Sequence, residues 1–178
     1  RGRTFVTKKI TTTLAKIYFG LENKLLLGNL YSLRDWGHAK DYAEMQWKIL
    51  QHKRPDDFVI ATDFQCSVRK FVEKTAKEMG FTIKWKGKGL KEKGFVNKIN
   101  KKLSKHCKIK EGNEIISVNK RYFRPLDVEN LLGDSTKARK ELKWKPKYSL
   151  DQLVKEMFIN DFNEAYNQFR LKNINEKN

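Results

Sequence analysis

The run from Ser67 to Gly80 constrains this chain more than any other. The Ser67 hydroxyl can cap a helix N-terminus. Val68, Phe71, Val72, Thr75, Ala76 and Met79 then recur on one face at helical spacing, and Gly80 supplies a left-handed stop. A helix with one apolar stripe has to bury it, so the fold needs a second layer. The candidates for that layer are short. Residues 24–30 are strand-sized and bounded by the turn signal Gly28-Asn29, residues 58–61 read as a buried strand, and residues 82–85 and 114–118 alternate weakly.

Further helices stand between these strands. Residues 5–19 place Val6, Ile10, Leu14 and Ile17 on one face, with Gly20 to end the helix. Residues 38–52 form a second helix, closed by Pro55. A short one begins at Asp134 or Ser135 and runs to Leu142, where Trp144-Lys145-Pro146 interrupts it. Ser149-x-x-Gln152 is a capping box, and Leu150, Leu153, Val154, Met157, Phe158, Phe162, Ala165 and Tyr166 give the last long helix one apolar face. Helices alternating with short strands place the chain in the α/β or α+β class.

A length of 178 residues suits one domain with a sizeable core. No apolar run approaches the ~20 residues of a membrane helix, so no membrane partner is expected. The opening Arg1-Gly2-Arg3-Thr4 has neither an initiator methionine nor an apolar signal region and reads as a cut end. Cys66 and Cys107 lie far apart without CxxC spacing, which suggests no disulfide framework and fits a reducing cytoplasm. The chain has 39 Lys and Arg against 21 Asp and Glu, a formal net charge of +18. Residues 80–124 contain 14 of those basic residues and three acids. They are mostly lysines without helical phasing, and no helix-turn-helix, RRM, KH or basic-zipper pattern accompanies them. A solvated surface is the preferred reading, and no specific nucleic acid is expected as partner. Within this stretch, about 90–112 reads as a mobile lysine-rich insertion between two strands. Residues 173–178 read as a frayed polar tail, which leaves 1–172 as the folded portion.

Motifs for catalysis are missing. The nearest approach to a dinucleotide loop, Gly87-Lys-Gly89-Leu-Lys-Glu-Lys-Gly94, has the wrong spacing and opens no helix. There is no P-loop, and none of the six tyrosines is followed four residues later by lysine. His38, His52 and His106 show no metal-ligand spacing, so no metal is expected. No catalytic residue is assigned in this segment. Arg34 follows the Gly28-Asn29 turn beside Trp36, and a guanidinium so placed can take a phosphate with two charge-assisted bonds. On the residues alone the ordinary reading is preferred, an arginine that pairs with a nearby carboxylate.

A succession of rarer strings carries more information. Arg1-Gly-x-Thr-Phe-Val-Thr-x-Lys-Ile10 is followed by Leu27-Gly-Asn-Leu30 and Arg34-Asp-Trp-Gly-His-Ala-Lys-Asp-Tyr42. Then come Pro55-Asp-Asp-Phe-Val-Ile-Ala-Thr62, Ser67-Val-Arg69, Arg121-Tyr-Phe-Arg-Pro125, Leu132-Gly-Asp134, Lys137-Ala138 and Trp144-Lys-Pro146. In this order, from Arg1 to about Asp161, the chain resembles the GDP-mannose 4,6-dehydratases.

The resemblance implies a Rossmann-type extended short-chain dehydrogenase. This chain would be its C-terminal nucleotide-sugar-binding part, with late elements, about 38–66, returning to the Rossmann sheet. It implies NADP as cofactor, GDP-mannose as the small-molecule partner and a homo-oligomer. The implied activity is an internal redox cycle in which the sugar C4 hydroxyl is oxidised, water is lost across C5 and C6, and the same hydride returns to C6. The product, GDP-4-keto-6-deoxy-mannose, leads toward GDP-fucose. The family's Thr/Glu pair and Tyr-x-x-x-Lys lie upstream of the segment matching Arg1. Carried over by position, Arg1 contacts NADP, Val6 and Lys9 line the guanine pocket, Arg34 and Arg124 clamp the pyrophosphate, and Asp127 stands where many members hold the ribose with glutamate. Two alternatives stay open at this point: another nucleotide-sugar epimerase or reductase of the same group, and a basic nucleic-acid-binding module.

Overall fold

The computed structural model describes residues 2, 4–99 and 106–175. The first helix, α1 (Val6–Tyr18), buries Ile10, Leu14, Ala15, Ile17 and Tyr18. Gly20 ends it at φ +72°, donating to the Ile17 carbonyl while Leu21 donates to that of Lys16, the paired bonds of a Schellman stop. Strand β1 (Leu25–Leu27) lies parallel to β6 (Glu114–Val118), with Leu25 opposite Ile116 and Leu27 opposite Val118. Antiparallel β5 (Lys93–Ile99) and β4 (Phe81–Lys86) complete a sheet of order β1-β6-β5-β4. Helices α1 and α3 (Val68–Glu78) pack on it, and the long α5 (Leu150–Asn175) packs on those two helices. Their shared core includes Ile10, Leu14, Leu27, Phe71, Val72, Val96 and Ile116.

A second sheet is small. Strand β2 (Leu33–Asp35) pairs antiparallel with β3 (Gln65–Ser67) and parallel with β7 (Asn130–Leu131). Helices α2 (Ala39–Leu50) and α4 (Thr136–Leu142) form a satellite cluster around Met45, Ala138 and the fully buried Trp144. Asp41, buried on α2, accepts the backbone N–H groups of Lys147 and Tyr148 at 3.1 Å each, which fixes the turn after Trp144. Between α1 and α5, buried Asp161 accepts from Lys8, Thr11 and Thr12, so that its charge is neutralised and its oxygens are occupied.

Three expectations are corrected. The lysine-rich stretch is not a mobile insertion over its described part. Lys93–Ile99 is a strand paired on both sides, Lys108 donates to the Tyr18 carbonyl at 2.8 Å, and Ile109 is buried. Its lysines are outward residues of a strand that buries Gly94 and Val96, and Lys84 and Lys86 on edge strand β4 discourage pairing with another sheet. Residues 100–105 of that stretch lie outside the described residues. Residues 58–61 form no strand, since no strand pairs with them among the described residues; Phe58 and Ile60 pack instead on the satellite cluster. The tail does not fray at 173, because α5 continues to Asn175, and 176–178 lie outside the described residues.

Candidate functional site

Two parallel strand pairs build the site. Strand β1 leads through residues 28–32 into β2, and β6 leads through 119–129 into β7. Because β1 lies parallel to β6 and β2 parallel to β7, the two connections leave and arrive side by side. They are also locked together. A Cβ on Gly28 would sit 2.0 Å from the Tyr122 carbonyl oxygen, so only glycine permits this approach. The Asn29 Nδ2 donates to the Arg124 carbonyl at 3.0 Å, and the Arg124 N–H returns a bond to Asn29 Oδ1 at 3.1 Å. The buried Ser32 hydroxyl donates to Asp127 Oδ2 at 2.8 Å.

Against these connections sits the first turn of α1, and the three enclose a cavity of about 470 Å³. Val6, Lys9, Arg34, Arg124 and Asp127 all line it; Arg1 lies outside the described residues. Arg34, in the middle of the small sheet, gives Nη1 to the carbonyls of Leu33 (2.8 Å) and Val128 (2.6 Å) and Nη2 to Asp127 Oδ1 (2.8 Å). The ordinary ion pair expected for this arginine therefore exists. A guanidinium has five donors, so three bonds leave the Nε–H and one Nη2–H for another acceptor. The Arg124 side chain is exposed and has no partner among the described residues. Lys9 Nζ stands 3.4 Å above the centre of the Tyr122 ring, a cation–π contact that holds its head at the cavity wall. Three cations face one carboxylate, and this balance suits a ligand with about two negative charges.

The sequence reading assigned no role to Asn29, Ser32 or Tyr122. The Gly28-Asn29 pair marked a turn and Tyr122 stood inside a quoted motif, but neither signal shows which loop packs against which. A neighbouring cavity of about 540 Å³ shares the wall formed by Gly28, Asn29 and Ser32. Glu92 on its lining is fully buried; Oε1 accepts from Tyr31 (2.9 Å) and Arg69 (3.1 Å), whereas Oε2 has no partner among the described residues. Trp36 and His38 are structural. Trp36 packs edge-on against Phe71, and His38 caps α2 by accepting from the Lys40 N–H through Nδ1. Among the described residues no group of three or more His, Cys, Asp or Glu could hold a metal ion, and no helix is long and apolar enough to cross a membrane.

Residues 1–157 match the family model described as GDP-mannose 4,6 dehydratase. A GDP-mannose 4,6-dehydratase of Vibrio cholerae is 48% identical over 172 residues, 97% of this chain and 46% of the relative. The human GDP-mannose 4,6 dehydratase is 47% identical over 157 residues, 88% of this chain and 39% of the relative. The chain thus spans about half the length of the curated relatives it matches. Among solved structures, RMD from Pseudomonas aeruginosa complexed with NADPH superposes with a TM-score of 0.67 at 14% identity, covering 92% of this chain and 44% of that one. The dTDP-glucose 4,6-dehydratase of Bacillus anthracis in complex with NAD gives 0.62 at 15% identity, covering 95% and 42%. At such identities the superpositions speak for the fold alone, that of the extended short-chain dehydrogenases of Rossmann type. The sequence matches go further: this chain belongs to the GDP-mannose 4,6-dehydratase family.

Proposed function

We propose that this chain is the nucleotide-sugar-binding portion of an NADP-dependent GDP-mannose 4,6-dehydratase, a lyase that converts GDP-mannose to GDP-4-keto-6-deoxy-mannose and water. The observation that carries the reading is the convergence of Val6, Lys9, Arg34, Arg124 and Asp127 on one cationic cavity. In this reading Arg34 offers its two remaining N–H donors to one phosphate, and exposed Arg124 takes the other. Lys9 donates to the base carbonyl beside Val6, and Asp127 accepts from the ribose hydroxyls while it still pairs with Arg34. These groups bind and orient the substrate; none of them reaches the bonds that change.

The NADP site is assigned to the portion of the enzyme outside these residues. Among the described residues no glycine-rich loop opens an α-helix, and the 87–94 glycines lie in the β4–β5 hairpin, where Gly87 is at φ +83° and Gly89 starts only a single 3-10 turn, Gly89–Lys91. Arg1 would be this chain's contribution to the cofactor. Residues 38–66 are assigned to the part that returns to the Rossmann sheet, with the complete protein a cytoplasmic homo-oligomer. The test is turnover by the complete enzyme carrying this chain. NADP-dependent conversion of GDP-mannose to the 4-keto-6-deoxy sugar supports the reading, and conversion of only UDP- or dTDP-sugars overturns it.

A further inference from the structure

One side chain on the cavity wall, Asn29, has no proposed contact with the ligand but bonds the backbone of a residue that does. Among the described residues, Asn29 makes both of the bonds by which the 28–32 connection grips the Arg124 backbone, and they form a reciprocal pair, donor to carbonyl at 3.0 Å and acceptor from N–H at 3.1 Å. The same Arg124 carbonyl accepts the Asp127 N–H at 3.2 Å, closing a turn with Pro125 at its second position, where a fixed φ suits it. Asp127 in turn holds Arg34 Nη2. A single amide therefore anchors one end of a relay that runs from Arg124 through Asp127 to Arg34. Arg124 depends on it most, since its guanidinium has no partner among the described residues and only its backbone is fixed.

We infer that Asn29 is a positioning residue for substrate binding: it holds Arg124, and through the Arg124–Asp127 turn Asp127 and Arg34, where a nucleoside diphosphate meets them. The inference rests on the proposed ligand reading of the cavity. Its physical basis is pre-organisation. Without Asn29 the Arg124 backbone loses both of these side-chain bonds and has to be ordered when the ligand binds, which weakens binding by about three- to tenfold. The reacting sugar atoms lie several bonds from the diphosphate, so the loss falls on KM.

The experiment is a double-mutant cycle on the complete enzyme, with KM and kcat for GDP-mannose measured in Asn29→Ala, Arg124→Ala and the double variant, and Tm recorded for each. The inference expects Asn29→Ala to raise KM about three- to tenfold with kcat within about twofold. In the Arg124→Ala background the same substitution should lose at least half of its effect on log KM, because the side chain it positions is gone. An unchanged KM in Asn29→Ala, or an effect of equal size in both backgrounds, overturns the inference. If Asn29→Ala fails to fold, Asn29→Asp takes its place in the same cycle. It keeps the acceptor for the Arg124 N–H but removes the donor to the carbonyl, and the same loss of effect is required. The arm with Arg124→Ala alone separates the two levels of the argument. An unchanged KM there refutes the ligand reading and this inference with it, whereas a raised KM there with an unchanged KM in Asn29→Ala refutes this inference alone.

Discussion

Arg34 and Arg124 carry the same proposed role but sit in the fold differently, and truncating each should separate ligand binding from stability. Arg34→Ala removes three internal bonds. Two go to backbone carbonyls, at about 0.5–1.5 kcal/mol each, and the third is an ion pair whose side chains are 22% and 20% exposed, where a pair is worth about 0–1 kcal/mol. Together they amount to about 2 kcal/mol, or a Tm lowered by about 4–8 °C in a chain of this size. Arg124→Ala removes no internal side-chain bond, so Tm should stay within about 2 °C. Both should raise KM for GDP-mannose in the complete enzyme roughly ten- to a hundredfold, since a charge-assisted bond to a phosphate is worth about 1.5–3 kcal/mol. In both, kcat should change much less. Lysine at either position should restore binding only in part, because an ammonium keeps the charge without the planar fork. Steady-state kinetics and thermal melts of the four variants decide the matter. A lowered Tm for Arg34→Ala with unchanged KM in both alanine variants would reduce Arg34 to a brace between β2 and the 127–128 backbone and leave Arg124 without a role.

Further expectations concern the scaffold and the charge. Asp161→Ala should destabilise the chain by about 3 kcal/mol, because it leaves the largely buried Lys8 ammonium with only the longer 3.9 Å pairing to Glu164; a loss below about 1 kcal/mol in urea melts would contradict this. Hydrogen bonds from Lys24 and then Lys93 hold the Glu114 carboxyl below its ordinary value of 4.5, so its contribution is present above that pH and is lost as pH falls through the folded value. The Tm gap between the native chain and Glu114→Gln should therefore be widest at neutral pH and narrow as the pH is taken below 4.5, and a pH-independent gap would refute the assignment. Exposed lysines such as Lys84, Lys86 and Lys98 attract polyanions only over about 8 Å at physiological salt. DNA association measured by fluorescence anisotropy should accordingly vanish there, and tight sequence-selective binding under those conditions would speak for a nucleic-acid-binding module.

Local signals were readable and long-range pairings were not. The Ser67 cap, the stripe behind it and the Gly80 stop are all realised in α3, and the Ser149–Gln152 box forms with both of its reciprocal bonds. Strands β2, β3 and β7 have two or three residues each and exist only through partners 30 or more residues away, for which apolar periodicity has no signature. The lysines of β5 hid a strand because charge on an outward face looks like loop composition. Residues 58–61 show the converse, an apolar run without a partner strand. As to the site, the motif succession named Val6, Lys9, Arg34, Arg124 and Asp127, and their meeting in one cavity follows from the two parallel pairings together with the first turn of α1 set against them. Asn29 and Ser32 escaped because an amide and a hydroxyl in a turn are ordinary until the facing loop is known.

The most direct test of the central claim is a crystal structure of the complete enzyme bound to GDP. The account predicts the diphosphate between Arg34 and Arg124, the base against Val6 and Lys9, and the ribose hydroxyls on Asp127. GDP bound elsewhere, with both guanidinium groups untouched, would contradict it.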